Sequence, residues 1–316
     1  MSIAWALNTM FDVVQTVPIE LSEQGAVIYD KATLKTYTLQ LLVGSVLFGL
    51  ITAVFSQLLE RYILPFLGRR WMTRKKWEEG TGDVSAHQWR ERFIANVTEL
   101  LHHSFSFFLG VQIIFMFYTP WTSESFQCNT QYASRMLHMW YWPSLTADKV
   151  IAFLYIYQLG HYFYALIDIT LLKSRKSDHR WMVTHHIATI ALIFFSSYTC
   201  LRRSGLGIIV LFDAADIFIK FIHIGKCVDS DNIVKLSYVF LLPVFIVPRL
   251  GLLPYHLMRH IRFGGPHLPY EEVMWGFLGI ITVCDILWAY IILKVGWRAL
   301  RGKGIDDPRD KKEKAA

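Results

Sequence analysis

Cysteine is scarce in this sequence, and its four copies follow no recognisable spacing. They occur as Cys128, Cys200, Cys227 and Cys284. No C-x-x-C pair is present, and disulfide frameworks and structural zinc sites depend on closely paired cysteines. The sequence therefore predicts neither a disulfide framework nor a structural zinc site.

Charged residues are also few over long stretches of the chain. Apolar residues fill 53% of the 316 positions, and the mean hydropathy is +0.33. Several apolar runs approach the roughly 20 residues that a helix needs to cross a bilayer core. This composition is unusual for a soluble domain and predicts a polytopic membrane protein. The net charge of +7 resides between the runs and in the tail, so it does not indicate nucleic-acid binding.

Seven apolar spans divide the chain. They lie near residues 37–60, 97–119, 149–172, 182–200, 205–225, 233–256 and 273–296. The N-terminus lacks the pattern of a cleaved signal peptide, so we expect the first span to act as a signal anchor. The other six spans have shorter connections and are expected to form one compact unit. The predicted order is an N-terminal segment, one isolated span, a basic loop, the compact unit and a basic tail, at 1–36, 37–60, 61–95, 96–297 and 298–316.

Lysine and arginine are distributed unevenly between the segments that join the spans. One side of the membrane holds 22 of them and the other side 8, with Lys220 and Arg249 inside spans. Because positive residues concentrate on the cytosolic side, we expect a lumenal N-terminus and a cytosolic C-terminus. The chain ends in KKEKAA, which places Lys312 and Lys314 in the K-x-K-x-x form of a dilysine retrieval signal. We therefore expect a location in the endoplasmic reticulum membrane.

Ionisable side chains inside the fourth and fifth spans are the main functional signal. Such groups cost about 2.5–3.5 kcal/mol each at membrane depth, so they normally face a protein interior or a wet cavity. His185 and His186 stand one turn inside the fourth span, and Asp213 and Asp216 share a face of the fifth. We expect the imidazoles and carboxylates to meet in a partly dry cavity. There a carboxylate can fix the tautomer of a histidine and prepare its other nitrogen for proton transfer or nucleophilic attack.

Further polar residues in the spans are candidates for lining this cavity. They are Gln158, His161 and Asp168 on one stripe of the third span, and Lys220 in the fifth. Lys220 follows Asp216 at i+4, so an intrahelical ion pair is the alternative. His102 and His103 stand near the cytosolic end of the second span, where solvated or headgroup-facing positions are expected.

Two adjacent stretches carry a family resemblance. SDHRWMVTHHIATIALIFFS followed by VLFDAADIFIKFIHIGKC, within about residues 177–228, resembles the Lag1p motif of ceramide synthases, part of the TRAM–Lag1–CLN8 (TLC) domain. The shared pattern is H-H-x-x-T on one span and D-x-x-D on the next. The third and last spans are also similar to those of the family, so the likeness covers roughly residues 95 to 305. It implies an all-α polytopic membrane protein with a six-helix TLC-type barrel and one N-terminal transmembrane helix.

The resemblance also implies a reaction, the N-acylation of a sphingoid base by a fatty acyl-CoA to give ceramide or dihydroceramide and CoA. Fatty acyl-CoA is then a co-substrate, and no cofactor or metal is expected. We expect His185 to take the acyl group and His186 to act as base or orienting partner. Asp213 would fix the tautomer of His186, and Asp216 would join the same network. Direct attack of the amine, with one imidazole acting only as general base, stays open.

A basic loop, KSRKSDHR, immediately precedes the histidine span. The candidates in it for holding the CoA phosphates are Lys173, Arg175, Lys176 and Arg180. An ordinary positive-inside loop is the alternative. The other expected partners are the sphingoid base, membrane lipids, and either a second subunit in a homo- or heterodimer or a small single-span accessory subunit. No nucleic acid is expected, and the last span contains Asp285, to which no role is assigned.

Two other function classes remain as alternatives. Membrane hydroxylases and desaturases hold metal in HxxHH or HxxxH boxes, whereas this chain has two bare HH pairs and no such box. A non-catalytic TLC protein, such as a lipid sensor or a trafficking or chaperone protein, often lacks the complete HH and DxxD set. Since both motifs are present here, the sequence favours the acyltransferase.

Overall fold

A computed structural model gives the architecture and describes residues 19–21, 27–29, 31–81, 84–118, 149–172, 178–198, 202–255 and 271–301. Two three-residue strands, β1 (Ile19–Leu21) and β2 (Val27–Tyr29), pair antiparallel near the N-terminus. The helices are α1 (Lys31–Leu58), α2 (Leu64–Trp71), α3 (Ala86–Tyr118), α4 (Lys149–Ile167), α5 (His179–Tyr198), α6 (Arg202–Cys227), α7 (Asp231–Ile246) and α8 (Glu271–Leu300). π-helical segments occur at Leu59–Ile63, Lys75–Glu79, Asp168–Leu172 and Val247–Leu252.

Six of these helices close into a ring. Helix α3 packs on α6, α6 on α7, α7 on α8, α8 on α5, α5 on α4, and α4 returns to α3. Apolar side chains such as Ile113, Tyr155 and Leu206 are almost fully buried where α3, α4 and α6 meet. The expected six-helix barrel of an all-α polytopic membrane protein is therefore confirmed.

Helix α1 lies outside the ring and packs against α4. The contact depends on small residues, because a Cβ added to Gly160 would lie 2.7 Å from the backbone nitrogen of Gly49 and 2.8 Å from the carbonyl oxygen of Ser45. Ser45 and Gly49 form a small-xxx-small pattern, which allows two helix backbones to approach closely within a membrane. The isolated first span, α1, is thus attached to the ring through α4, the third predicted span of the chain.

The basic region predicted as a loop, residues 61–95, is largely helical. Helix α1 continues through a π-helical segment into α2, where Pro65 near the helix start needs no backbone donor. Helix α3 then begins with a capping box, in which the backbone nitrogens of Ser85 and Gln88 each donate to the other's side-chain oxygen, at 3.0 and 3.3 Å. Trp77 packs on Gly68, and this apolar contact organises the segment despite its many charges.

All seven predicted spans coincide with helices. Among the described residues, three helical stretches are long and apolar enough to cross a membrane by length and composition: Leu41–Trp71, Asp231–Tyr255 and Glu272–Leu300. The predicted N-terminal and C-terminal segments, including Lys312 and Lys314, lie mostly or wholly outside the described residues.

Candidate functional site

A cluster of buried and half-buried polar side chains lies between the ring helices. All six ring helices, or the π-helical segments that extend them, contribute to it. We call it the polar cluster; it comprises Glu99, His103, Gln158, His185, His186, Asp213, Asp216, Lys220, Arg249 and Asp285. Groups of this kind are costly at membrane depth, so their concentration in one place makes the polar cluster the candidate functional site.

Asp213 is at the centre of one hydrogen-bonded network in this cluster. The residue is 1% exposed, and its Oδ1 accepts a hydrogen bond from Nδ1 of His103 at 2.7 Å. Its other oxygen, Oδ2, accepts from the amide nitrogen of Gln158 at 2.8 Å, and that amide also contacts the hydroxyl of Ser106. Both carboxylate oxygens are therefore engaged by groups from α3 and α4.

The two histidines of α5 are buried but have different surroundings. Nδ1 of His186 donates to the carbonyl oxygen of Met182 at 2.8 Å, which leaves the lone pair on Nε2. Nδ1 of His185 is buried without a hydrogen-bond partner among the described residues, and its ring contacts Trp288 of α8 edge to face. The prediction that Asp213 fixes the tautomer of His186 is wrong in this structure. A backbone carbonyl one helical turn earlier takes that place.

Asp216 belongs to a second network centred on Arg249. The π-helical segment after α7 places the Arg249 side chain, 2% exposed, between α6 and α8. Its guanidinium nitrogens lie 3.1 Å from Asp216, 3.3 Å from Asp285 and 2.8 Å from the carbonyl oxygen of Phe212. The guanidinium also stacks over the ring of Phe212, at 4.2 Å from its centroid. Asp285 thus acquires a role as counterion to a buried arginine.

Lys220 pairs with Glu99 across the interface between α6 and α3. The alternative of an intrahelical pair with Asp216 is therefore wrong, because Arg249 occupies that carboxylate. From the sequence, Glu99 was assigned no function, and Arg249 was identified only as a charge inside a span. An arginine at that depth normally pairs with an acidic side chain or with backbone carbonyls, and this is the signal that indicated a partner for it.

His102 and His103 do not face solvent or lipid headgroups, so that expectation is wrong. Both are buried, with exposed fractions of 6% and 8%. The ring of His102 stacks on His161 and on Tyr157, both from α4. The close packing of α3 against α4 and α6 encloses the two histidines, although their helix begins in a basic segment. His161 therefore packs beside the polar cluster.

The remaining predicted residues are not members of the polar cluster as defined above. Asp168 is half-buried at the start of the π-helical segment that follows α4. Arg180 is exposed in the first turn of α5. Lys173, Arg175 and Lys176 lie outside the described residues.

Three members of the cluster have the donor types of a metal site. Ligand atoms of His103, Asp213 and Asp216 lie within 4.8 Å of one another. Each carboxylate already has partners, however, since Arg249 neutralises Asp216 while His103 and Gln158 engage Asp213. We therefore treat these three residues as members of two adjacent hydrogen-bonded networks rather than as a set of metal ligands.

Comparison with known proteins relates this architecture to one family. Residues 92–294 match the family model described as the TLC domain (TRAM–LAG1–CLN8). The chain is 23% identical over 281 residues to ceramide synthase hyl-2 of Caenorhabditis elegans, covering 84% of this chain and 82% of that relative. It is 26% identical over 205 residues to ceramide synthase LOH1 of Arabidopsis thaliana, covering 58% and 66%. With human ceramide synthase 5 it shares 25% identity over 220 residues, covering 67% and 53%.

Proposed function

Since this chain belongs to the TLC domain family, we propose that it is a ceramide synthase. In this reaction a fatty acyl-CoA donates its acyl group to the amine of a sphingoid base, which is dihydrosphingosine, sphingosine or phytosphingosine. The products are a ceramide or dihydroceramide and CoA. The observation that supports it most is the buried polar cluster, in which two imidazoles of α5 lie in a ring of helices otherwise packed with apolar side chains.

The chemistry of acyl transfer matches these residues. A sphingoid amine is mostly protonated at neutral pH and must lose a proton before it attacks a carbonyl. Histidine both accepts protons and forms covalent acyl intermediates, which divide one difficult step into two easier ones. An enclosed cavity also protects an acyl-imidazole from hydrolysis by water.

Within this proposal His185 carries the acyl group. No described residue holds its Nδ1, so its ring can adjust to the incoming thioester. His186 is the orienting partner, because its hydrogen bond to the carbonyl of Met182 fixes its tautomer. The ring centroid of His185 lies 5.7 Å from that of His186 and 4.9 Å from that of Trp288.

The substrates would reach this cluster from different phases. The acyl chain and the sphingoid base are lipid-like, whereas CoA is a soluble polyanion. Arg180 is exposed at the start of the helix that carries the histidines, so it is suited to contact the CoA phosphates, together with Lys173, Arg175 and Lys176. We propose an endoplasmic reticulum membrane location with this end of α5 in the cytosol. A second subunit or a small accessory subunit belongs to the same proposal.

An acyltransfer assay tests the function. Purified protein would be incubated with a panel of acyl-CoAs and dihydrosphingosine, and N-acyl products would be measured by mass spectrometry. We expect product from wild type, a loss of at least 100-fold in His185→Ala and in Asp213→Ala, and wild-type activity in His87→Ala, a side chain 71% exposed on α3. Equal activity in all four proteins would end the site assignment. No product from any substrate pair would instead favour a non-catalytic TLC protein.

A further inference from the structure

Asp213 holds the imidazole of His103 on α3, not that of His186 on α5 as expected from the sequence. Nδ1 of His103 donates to Oδ1 of Asp213 at 2.7 Å, and both side chains are at least nine-tenths buried. Among the described residues, the hydrogen bond found for this imidazole is the one made by Nδ1. The carboxylate therefore fixes the tautomer that leaves the lone pair on Nε2.

We call His103 and Asp213 the dyad. Its surroundings distinguish it from an ordinary structural contact. Gln158 donates to the second oxygen of Asp213 at 2.8 Å, which restricts rotation of the carboxylate. Because both oxygens are engaged, the negative charge is localised where it stabilises a positively charged imidazole on His103. For the neighbouring His102, neither ring nitrogen has a hydrogen-bond partner within the described part of the chain, and its ring stacks on those of His161 and Tyr157. The two adjacent histidines are thus similarly buried, but of the two it is His103 that is hydrogen-bonded to a carboxylate.

The dyad and the α5 histidines share one environment. Ligand atoms of Asp216, Asp213 and His103 lie within 4.8 Å of one another. A series of ring contacts then links α3 to α5. The ring centroid of His161 lies 6.1 Å from that of His103 and 6.0 Å from that of Tyr162, and Tyr162 lies 5.6 Å from His186. The rings of His185 and His186 are 5.7 Å apart. A substrate amine bound between α3 and α5 could therefore meet an acyl group on His185 and a free imidazole nitrogen on His103.

From this geometry we infer that His103 is the general base that deprotonates the sphingoid ammonium, with Asp213 and Gln158 as its positioning residues. The inference rests on the proposed acyltransfer and assigns a step that the α5 histidines alone do not cover. In this inference Asp213 positions His103 on α3, whereas the sequence suggested that it positions His186 on α5.

The proton and bond changes balance without any further reactant. In the first half of the reaction the acyl carbon leaves the CoA sulfur and bonds to His185, and the imidazole proton passes to the thiolate. In the second half the ammonium gives one proton to Nε2 of His103, and the amine forms the new C–N bond. The bond from the acyl carbon to His185 breaks, and the second amine proton returns to that imidazole. His103 finally releases its proton to solvent.

The test compares two acceptors that differ in their need for a base. Dihydrosphingosine is protonated at neutral pH, whereas hydroxylamine is a neutral nucleophile and attacks acyl-imidazoles directly. Purified wild type, His103→Asn and His102→Asn would be supplied with acyl-CoA and each acceptor, and ceramide and hydroxamate would be quantified above the enzyme-free rate. Asparagine at 103 keeps a side-chain donor for Asp213 but lacks a base. Asparagine at 102 is the matched control on the same helix.

We expect His103→Asn to lose about 100-fold or more with dihydrosphingosine, the range for a removed general base. With hydroxylamine it should remain within about three-fold of wild type, as should His102→Asn with both acceptors. Equal losses of His103→Asn with both acceptors would reveal a merely structural role and overturn the inference. Wild-type ceramide formation by this variant would overturn it as well.

A second variant guards against misfolding. Asp213→Asn keeps a hydrogen-bonding side chain but cannot stabilise a protonated His103, so the same acceptor-selective loss is expected. One equivalent of tightly bound metal in the purified wild type, found by elemental analysis, would reassign His103 and Asp213 as ligands and contradict the dyad. Failure of the wild type with every acyl-CoA and base would refute the proposed function itself, an outcome separate from a failure of His103→Asn alone.

Discussion

Arg249 offers a quantitative test of how the polar cluster is held together. Its guanidinium joins three elements, through Asp216 and the carbonyl of Phe212 on α6, Asp285 on α8, and its own segment after α7. Asp285 is completely buried; its Oδ1 lies 3.3 Å from Arg249, and its Oδ2 has no hydrogen-bond partner among the described residues. Substitution of Arg249 by methionine would preserve volume but leave that carboxylate without a counterion.

The expected cost follows from this geometry. Removing one partner of a buried ion pair destabilises by about 3–5 kcal/mol, because an uncompensated charge stays behind. Most of the cost would come from Asp285, since Asp216 is 25% exposed and retains some hydration. For a chain of 316 residues, an unfolding entropy near 2.1 cal/mol/K per residue converts this to a fall of about 5–8 °C in apparent Tm.

A double variant separates the stranded charge from lost packing. Arg249→Met with Asp285→Leu removes both charges and should recover at least half of the lost Tm, because apolar replacements for buried pairs are often well tolerated. Thermal melting in detergent at one fixed scan rate would measure both variants. Lys235→Met, a side chain 70% exposed on α7, is the control and should melt within about 1 °C of wild type. A double variant that melts no higher than Arg249→Met would refute the reasoning.

Two further predictions concern the attachment of α1 and of the basic segment. Gly160→Ala should lower Tm by several degrees, because the new methyl group would meet backbone atoms of α1, whereas Gly276→Ala, with no atom within 4 Å, should not. A Gly160→Ala protein that melts like wild type would exclude the close α1–α4 contact. Lys76→Met should expose the segment before α3 to chymotrypsin, because Nζ of Lys76 holds the carbonyl of Lys226 at 2.6 Å and pairs with Asp229. The neighbouring exposed Lys75→Met is its control, and equal cleavage of the two variants would count against this clamp.

The sequence predicts the helices of this protein well because apolar runs of membrane length are a local signal. All seven spans coincide with helices, and three of these stretches meet the length and hydropathy needed to cross a membrane. The helical structure of residues 61–79 was not predicted, because its basic composition indicated a loop. Its order comes from contacts with distant residues, such as the pairing of Lys76 with Asp229.

The partners within the polar cluster depend on the order of the helices in the ring, which spacing along the chain does not reveal. Consecutive spans suggested that the α5 histidines face the α6 carboxylates. In the ring, α6 packs most extensively against α3 and α7, so Asp213 meets His103 and Asp216 meets Arg249. The residue types were identifiable as costly groups at membrane depth, but their pairing required three-dimensional contacts.

The most direct test of the central claim is to locate the acyl group on the protein. Wild type would be incubated with acyl-CoA alone, digested, and examined by tandem mass spectrometry for an acylated peptide. The account predicts one acyl group on His185, removed on addition of dihydrosphingosine with release of ceramide and absent from His185→Ala. No adduct, or an adduct on a residue outside the polar cluster, would contradict it.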